Sequence, residues 1–222
     1  MATTNSTPYA VAAAQSPSST RDLLELTIGF TFILAVLWLP THEQLIFGPI
    51  ALLAPLVQVL LRRPRLNDLG LGLRGFLPSL WILPATVMVM LGGIFIAENI
   101  GTYHPLYNAD FAHVDGYVLW TMYQQFLLQD YFMPRLSRIL SSDAAIVVAS
   151  LLFALAHLPN LSLALACLIW GAVSSLLFRR YRNLYMLGLA QGMLGLCFAV
   201  CVPDAWIHHM RVGLGYWRYH QG

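Results

Sequence analysis

The sequence predicts an all-α, polytopic membrane protein, a bundle of about seven transmembrane helices. Of its 222 residues, 58% are hydrophobic and only 10% are charged, whereas an average soluble domain is about a quarter charged. The mean hydropathy is +0.66. Arginines recur between alternate apolar runs, as they do in the loops on one side of a membrane.

Each predicted helix is an apolar run, and a helix needs about 20 apolar residues to cross a bilayer. The fifth and sixth runs are shorter than the others. The seven runs cover about residues 22–40, 44–61, 76–98, 116–134, 143–158, 162–178 and 183–202.

The loops between these runs predict the orientation. All twelve basic residues are arginine; most follow the second, fourth and sixth runs, and Arg21 precedes the first. Because basic loops are cytoplasmic, we predict a cytoplasmic amino terminus and, after seven crossings, an external carboxyl tail. Arg211 and Arg218 in that tail argue against this topology. If one short run is re-entrant, the tail moves to the cytoplasm.

Composition divides the chain into three parts. Residues 1–20 are rich in Ala, Ser and Thr and predict a disordered tail. Residues 21–205 contain neither a repeat nor a Gly/Ser linker and predict one membrane domain. Residues 206–222 are aromatic and basic, which suits the headgroup level of a membrane.

Several chemistries are not expected. The arginines lie in short loops and form no basic face, which argues against a nucleic-acid partner. The three cysteines lie within apolar runs and are interpreted as packing residues. Adjacent histidines diverge, so His208 and His209 are interpreted as surface residues. We therefore predict no metal site and no cofactor.

The fourth run contains amides, in the stretch WTMYQQFLLQDYFMPRL at residues 120–136. Gln125 and Gln129 are four residues apart and share a helix face, and Gln124 can point to the same interior. The three amides can line a polar cavity. Alternatively, they bond neighbouring helices, where each such bond contributes about 0.6 kcal/mol.

Two later runs also carry polar residues. His157 ends the fifth run in SLLFALAHLPN, before Pro159. It is either a satisfied polar group at a helix end or a functional imidazole. Gln191 lies in LGLAQGMLG among glycines that favour close helix packing.

The order of these pieces resembles the CAAX prenyl protease and bacteriocin-processing (CPBP, abortive-infection) family of intramembrane proteases. The family motif EExxxR aligns with Gln124, Gln125 and Gln129. The motif FxxxH is intact as Phe153 and His157. The third motif, HxxxN or HxxxD, aligns with Gln191 and Gly195, and the resemblance covers about residues 45–200.

The resemblance implies an endopeptidase site with catalytic positions at His157, Gln124, Gln125 and Gln191, and binding positions at Gln129, Phe153 and Gly195. In the family, the first glutamate activates a water, while histidines and an asparagine orient it or hold the oxyanion. A general base must accept a proton, which an amide cannot do. Because glutamines replace the glutamate pair, activity stays an open question.

Three functions remain open. The first is a catalytically degenerate homologue that binds or helps to process membrane-anchored peptides, or assembles a membrane complex. The second is an active endopeptidase that uses His157 with a non-standard acid such as Glu98 or Asp130. The third is a structural subunit of a larger complex. The expected partners are membrane lipids and a membrane-anchored peptide or protein, and the resemblance implies the bacterial inner membrane.

Overall fold

The computed structural model describes residues 17–106 and 111–218, and all its regular secondary structure within those ranges is helical. This confirms the predicted all-α class. Four described helices are long and apolar enough to cross a membrane. Because the other predicted runs do not meet this criterion, the number of about seven crossings stays a prediction. The four helices are Thr41–Leu61, Ile82–Ile100, Leu161–Tyr181 and Leu184–Cys201.

The first two predicted runs form a helical hairpin. Helix α1 spans Pro17–Leu37 and packs against α2, Thr41–Leu61. Pro40 precedes α2 in an extended conformation and separates the two helices. Since α1 begins at Pro17, the last residues of the predicted disordered tail 1–20 are helical, and residues 1–16 lie outside the described part.

The third predicted run is broken in two. It comprises a short helix α3, Phe76–Ser79, and a long helix α4, Ile82–Ile100. In one continuous helix the ring of Pro84 would meet the carbonyl of Leu80, which accounts for the break. Gly101, in the left-handed region at φ 73°, ends α4.

The fourth predicted run contains a change of helix type. Helix α5, Phe111–Phe126, continues into a π-helical segment, Leu127–Phe132, and then into the short helix α6, Met133–Leu136. The π segment is almost fully buried and contacts α2, α7 and α8. Such segments occur frequently at functional sites.

The last three predicted runs form three helices. They are α7, Ser142–Leu155, α8, Leu161–Tyr181, and α9, Leu184–Cys201. Helix α7 packs on α8, while α4 and α5 pack on α9. Each helix has a side-chain N-cap, supplied by Ser141, Asn160 and Asn183 respectively.

The described part of the carboxyl tail is folded against the bundle. It contains α10, Asp204–Ile207, a 3-10 turn, His208–Met210, and α11, Leu214–Trp217. The Asn160 amide donates to the carbonyl of Ile207 at 2.7 Å. The tail therefore lies at the end of the bundle where α7 meets α8, opposite the arginine-rich loops. Residues 219–222 lie outside the described part.

Candidate functional site

A cavity of about 730 Å³ lies within the bundle, and residues of α1, α2, α4, α5, α7, α8 and α9 line it. Its wall is mostly apolar and includes the π segment. Met210 and Val212 of the tail also contribute to it. A patch of polar side chains interrupts the apolar wall, and it includes Gln124, His157 and Gln191.

The glutamines form one directed chain of hydrogen bonds. Gln129 Nε2 donates to Gln125 Oε1 at 3.2 Å, and Gln125 Nε2 donates to Gln191 Oε1 at 2.6 Å. Gln191 Nε2 then donates to Gln124 Oε1 at 2.5 Å. The structure therefore brings Gln191 of α9 to three glutamines of α5 and the π segment, more than 60 residues earlier in the sequence. The chain ends at Gln124, which is half-buried on the cavity wall.

Helix α8 supplies further partners that the sequence analysis did not identify. Gln129 Nε2 lies 3.4 Å from Ser174 Oγ and 3.3 Å from Ser175 Oγ. The Trp170 indole donates to Gln191 Oε1 at 3.0 Å. The adjacent serines inside an apolar run were the available signal, because hydroxyls at such depth require partners.

Two of the four amides are almost completely buried. Gln125 is 0% exposed and Gln129 is 2% exposed. Uncharged amides satisfy each other there, whereas a carboxylate would need a positive partner at the same depth. The arrangement accommodates Gln129 where the family motif has arginine, because no negative charge has to be balanced.

The imidazole of His157 lies just beyond the end of α7. Its Nδ1 is 2.7 Å from the carbonyl oxygen of Phe153, and its ring packs edge-on against the Phe153 ring. A carbonyl oxygen only accepts, so Nδ1 carries the proton and Nε2 of the neutral ring keeps its lone pair. His157 therefore presents a hydrogen-bond acceptor to a cavity that it shares with Gln124 and Gln191.

Gly195 aligns with the last position of the third family motif, where its relatives have Asn or Asp. A Cβ at Gly195 would overlap the hydroxyl oxygen of Tyr117 on α5. The Tyr117 side chain therefore occupies the space next to this glycine, and both residues line the cavity. Sequence reasoning missed Tyr117, because nothing in its spacing marks the contact.

The carboxylates that could replace the family's glutamates lie outside the large cavity. Glu98 is exposed at one end of α4. Glu25, a further carboxylate in the first predicted run, bonds to arginines at the opposite end of the bundle. Asp130 lines a separate cavity. Among the described residues that line the large cavity, none is Asp or Glu, and His157 is the sole histidine. No group of three or more potential metal ligands occurs in the described part of the chain.

Comparison with known protein families finds a match for part of the chain. The model for type II CAAX prenyl endopeptidase Rce1-like proteins matches residues 111–197. No curated protein and no solved structure matches the chain. The matched segment contains α5, the π segment, α7, α8 and most of α9, and thus all four glutamines and His157. Over residues 111–197 this integral membrane protein therefore carries the pattern of the type II CAAX prenyl endopeptidase Rce1-like family, which confirms the resemblance predicted from its motifs.

Proposed function

We propose that this protein is a catalytically degenerate CAAX-protease-like protein that binds a membrane-anchored peptide in its large cavity without cleaving it. The observation that carries the proposal is the chain of hydrogen-bonded amides. Gln124, Gln125 and Gln191 align with the family's catalytic positions, and Gln191 bonds to both of the other two. Hydrogen bonding thereby replaces acid–base chemistry at these positions.

The same groups explain why the site does not activate water. Peptide hydrolysis needs a group that accepts a proton from water, and the described cavity wall has one candidate, His157. The Nδ1 partner of His157 is a backbone carbonyl rather than a carboxylate. A carboxylate partner would stabilise the imidazolium formed when the ring takes a proton, and a neutral carbonyl does so much less.

The cavity itself favours binding. Its volume of about 730 Å³ lies within the range of roughly 300–1,000 Å³ typical of ligand pockets. The apolar wall suits a lipid chain, while the polar patch offers Gln124 as a donor and His157 as an acceptor. A peptide bond presents the complementary carbonyl and N–H groups. A lipidated peptide matches both parts of the cavity.

The arginine-rich loops support a location in the bacterial inner membrane with these loops in the cytoplasm. They lie at one end of the bundle, where Arg62 and Arg138 both contact Asp22 near the start of α1. The carboxyl tail contacts the opposite end through Asn160. A peptide anchored in this membrane can reach the cavity from within the bilayer.

The proposal is tested with the full chain in proteoliposomes and a fluorescent peptide that ends in a farnesylated CAAX sequence. We expect saturable binding by fluorescence anisotropy and an intact peptide by mass spectrometry. His157→Ala removes one hydrogen bond and should weaken binding about twofold to tenfold. Glu98→Gln, a change away from the cavity, is the control and should leave binding unchanged.

The active-endopeptidase alternative rests on one observation, the Nε2 lone pair that His157 presents to the cavity. Under that alternative, the wild-type chain cleaves the peptide and His157→Ala abolishes the cleavage. That result would contradict the proposal directly. Cleavage that persists in His157→Ala would indicate a contaminating protease, and the assay would be repeated on a further purified sample.

A further inference from the structure

A second cavity, of about 230 Å³, lies at the arginine-rich end of the bundle. It is bounded by the end of α2, the π segment with α6, the start of α7 and the end of α8. Five arginines line it: Arg62, Arg135, Arg138, Arg179 and Arg182. They come from three separate parts of the sequence, and only the fold brings them together.

This end of the molecule has an excess of positive charge. It carries ten arginines, at 21, 62, 63, 65, 74, 135, 138, 179, 180 and 182, against five carboxylates, at 22, 25, 68, 130 and 143. Asp22 and Glu25 bond to three of the five lining arginines, and Asp143 bonds to Arg179. These contacts hold the guanidinium groups in place around the cavity. The surplus comes from five arginines at this end that do not line the cavity, and their positive field favours an anion there.

One carboxylate in the cavity has an unused oxygen. Asp130 is only 6% exposed, and its Oδ2 has no hydrogen-bond partner in the described part of the chain. A buried carboxylate oxygen without a donor is costly, so a native structure normally pairs it. Asp130 lines the cavity together with the arginines. A ligand that also carries a donor group would satisfy this oxygen.

The geometry points to a binding site for a phosphate ester that carries an ammonium group, the chemistry of a phosphoethanolamine headgroup. The arginines suit the phosphate because guanidinium groups donate paired hydrogen bonds to its oxygens. Asp130 accepts from the ammonium group. The position at the end of the apolar helices matches the headgroup level of the membrane, which makes phosphatidylethanolamine the lipid that fits this site.

This site is distinct from the large cavity proposed to bind a peptide. The two cavities share no lining residue. They are connected through Gln129, which lines the smaller cavity and donates to Gln125 in the amide chain. The lipid site does not depend on the proposed peptide function, and its test needs no peptide.

The test uses the full chain in detergent and short-chain lipids as probes. Dihexanoyl-phosphatidylethanolamine, dihexanoyl-phosphatidylglycerol and soluble O-phosphoethanolamine are titrated, and affinity is measured by isothermal titration calorimetry. We expect phosphatidylethanolamine to bind more tightly than phosphatidylglycerol. Asp130→Asn should weaken phosphatidylethanolamine binding about tenfold, as expected for a lost charge-assisted hydrogen bond, and leave phosphatidylglycerol binding unchanged.

Two further variants separate the contributions. Arg179→Gln changes a partly exposed lining arginine and should weaken binding of both lipids, because it removes a phosphate contact. Glu98→Gln, at the opposite end, is the charge-matched control. Native mass spectrometry checks that each variant is folded and has the same oligomeric state as the wild type.

The outcomes decide the proposal. Equal affinities for the two lipids, together with no effect of Asp130→Asn, would overturn it. If O-phosphoethanolamine binds with the same affinity as phosphatidylethanolamine, the site recognises the headgroup chemistry, and its ligand is a soluble phosphate ester rather than a lipid. If Glu98→Gln also loses phosphatidylethanolamine binding, the effect of charge is non-specific, and the proposed site is wrong.

Discussion

At the scale of single residues, Gln125 lies in the middle of the chain of hydrogen-bonded glutamines. It donates to Gln191 and accepts from Gln129, and it has no exposed surface. Both partners are themselves buried, so each loses a hydrogen bond inside the protein if Gln125 is removed. The contribution of one amide therefore includes the desolvation of its neighbours.

Replacing Gln125 with Leu should lower the free energy of unfolding by about 1–3 kcal/mol, the cost of leaving a buried polar group unpaired. The measurement is SDS-induced unfolding in mixed micelles, followed by circular dichroism. Gln124→Leu is the matched comparison, since Gln124 ends the chain at the cavity and is half-buried. If both variants unfold as the wild type does, the amide chain has no stabilising role.

The charge-neutral character of the site is also testable. Gln125→Glu places a carboxylate beside Gln129 without a positive partner, and Gln129→Arg buries a guanidinium without a negative one. Each single variant should lose about 3–5 kcal/mol, the cost of an uncompensated buried charge. The double variant pairs the two charges and should be more stable than either single variant in the same unfolding assay. Additive losses in the double variant would contradict this pairing.

At the scale of elements, the caps of α8 and α9 are similar but have different additional contacts. Asn160 Oδ1 accepts from the backbone N–H of Leu163, and its amide holds the tail carbonyls of Ile207 and Arg211. Asn183 Oδ1 caps α9 in the same way through Met186. Its Nδ2 has no hydrogen-bond partner in the described part of the chain. Only the first cap therefore links a helix to the carboxyl tail.

Asn160→Ala should release the tail, whereas Asn183→Ala should only weaken a helix start. Both variants lose a cap worth about 1 kcal/mol. Limited trypsin digestion, read by mass spectrometry, should cleave after Arg211 faster in Asn160→Ala than in the wild type. In Asn183→Ala the rate should be close to that of the wild type. Equal cleavage in the two variants would show that Asn160 does not anchor the tail.

Helix α7 is the element that determines the depth of His157. Its 14 residues span about 21 Å, which is less than the roughly 30 Å hydrocarbon thickness of a bilayer. Helix α7 starts at Ser142, which bonds to Arg179 at the arginine-rich end. His157 therefore lies short of the opposite end of the bundle, at the cavity.

At the scale of the whole molecule, the described chain starts and finishes at opposite ends of the bundle. Asp22 near the start of α1 contacts Arg138, and Gly213 in the tail bonds to the carbonyl of Leu158 beyond α7. A chain whose two ends lie on opposite sides of a membrane crosses it an odd number of times, which is consistent with the predicted seven crossings. With the arginine-rich end in the cytoplasm, as the rule for basic loops predicts, we expect the tail to be external.

Thiol labelling of intact cells with a membrane-impermeant maleimide tests this orientation. Asn99→Cys and Arg180→Cys introduce exposed thiols at opposite ends. We expect Asn99→Cys to be labelled in intact cells and Arg180→Cys only after permeabilisation, because basic loops stay in the cytoplasm. Trp217→Cys should behave as Asn99→Cys does. Labelling of Arg180→Cys in intact cells would reverse the predicted orientation.

The sequence by itself determined the helical class, the approximate helix positions and the family resemblance. Apolar runs separated by arginines require helices in a membrane, because a helix satisfies its own backbone hydrogen bonds there. The motif positions Gln124, Gln125 and Gln129 share one helix, so their proximity follows from helix periodicity. That part of the site was predictable from local spacing.

Only the tertiary structure decided which residues complete the site. Gln191, Trp170 and Ser174 come from α8 and α9, and their contacts with the amides depend on how those helices pack. The same holds for Tyr117 beside Gly195 and for the arginines around Asp130. Helix periodicity specifies faces within one helix, whereas the pairing of faces between helices depends on side-chain packing across the whole bundle.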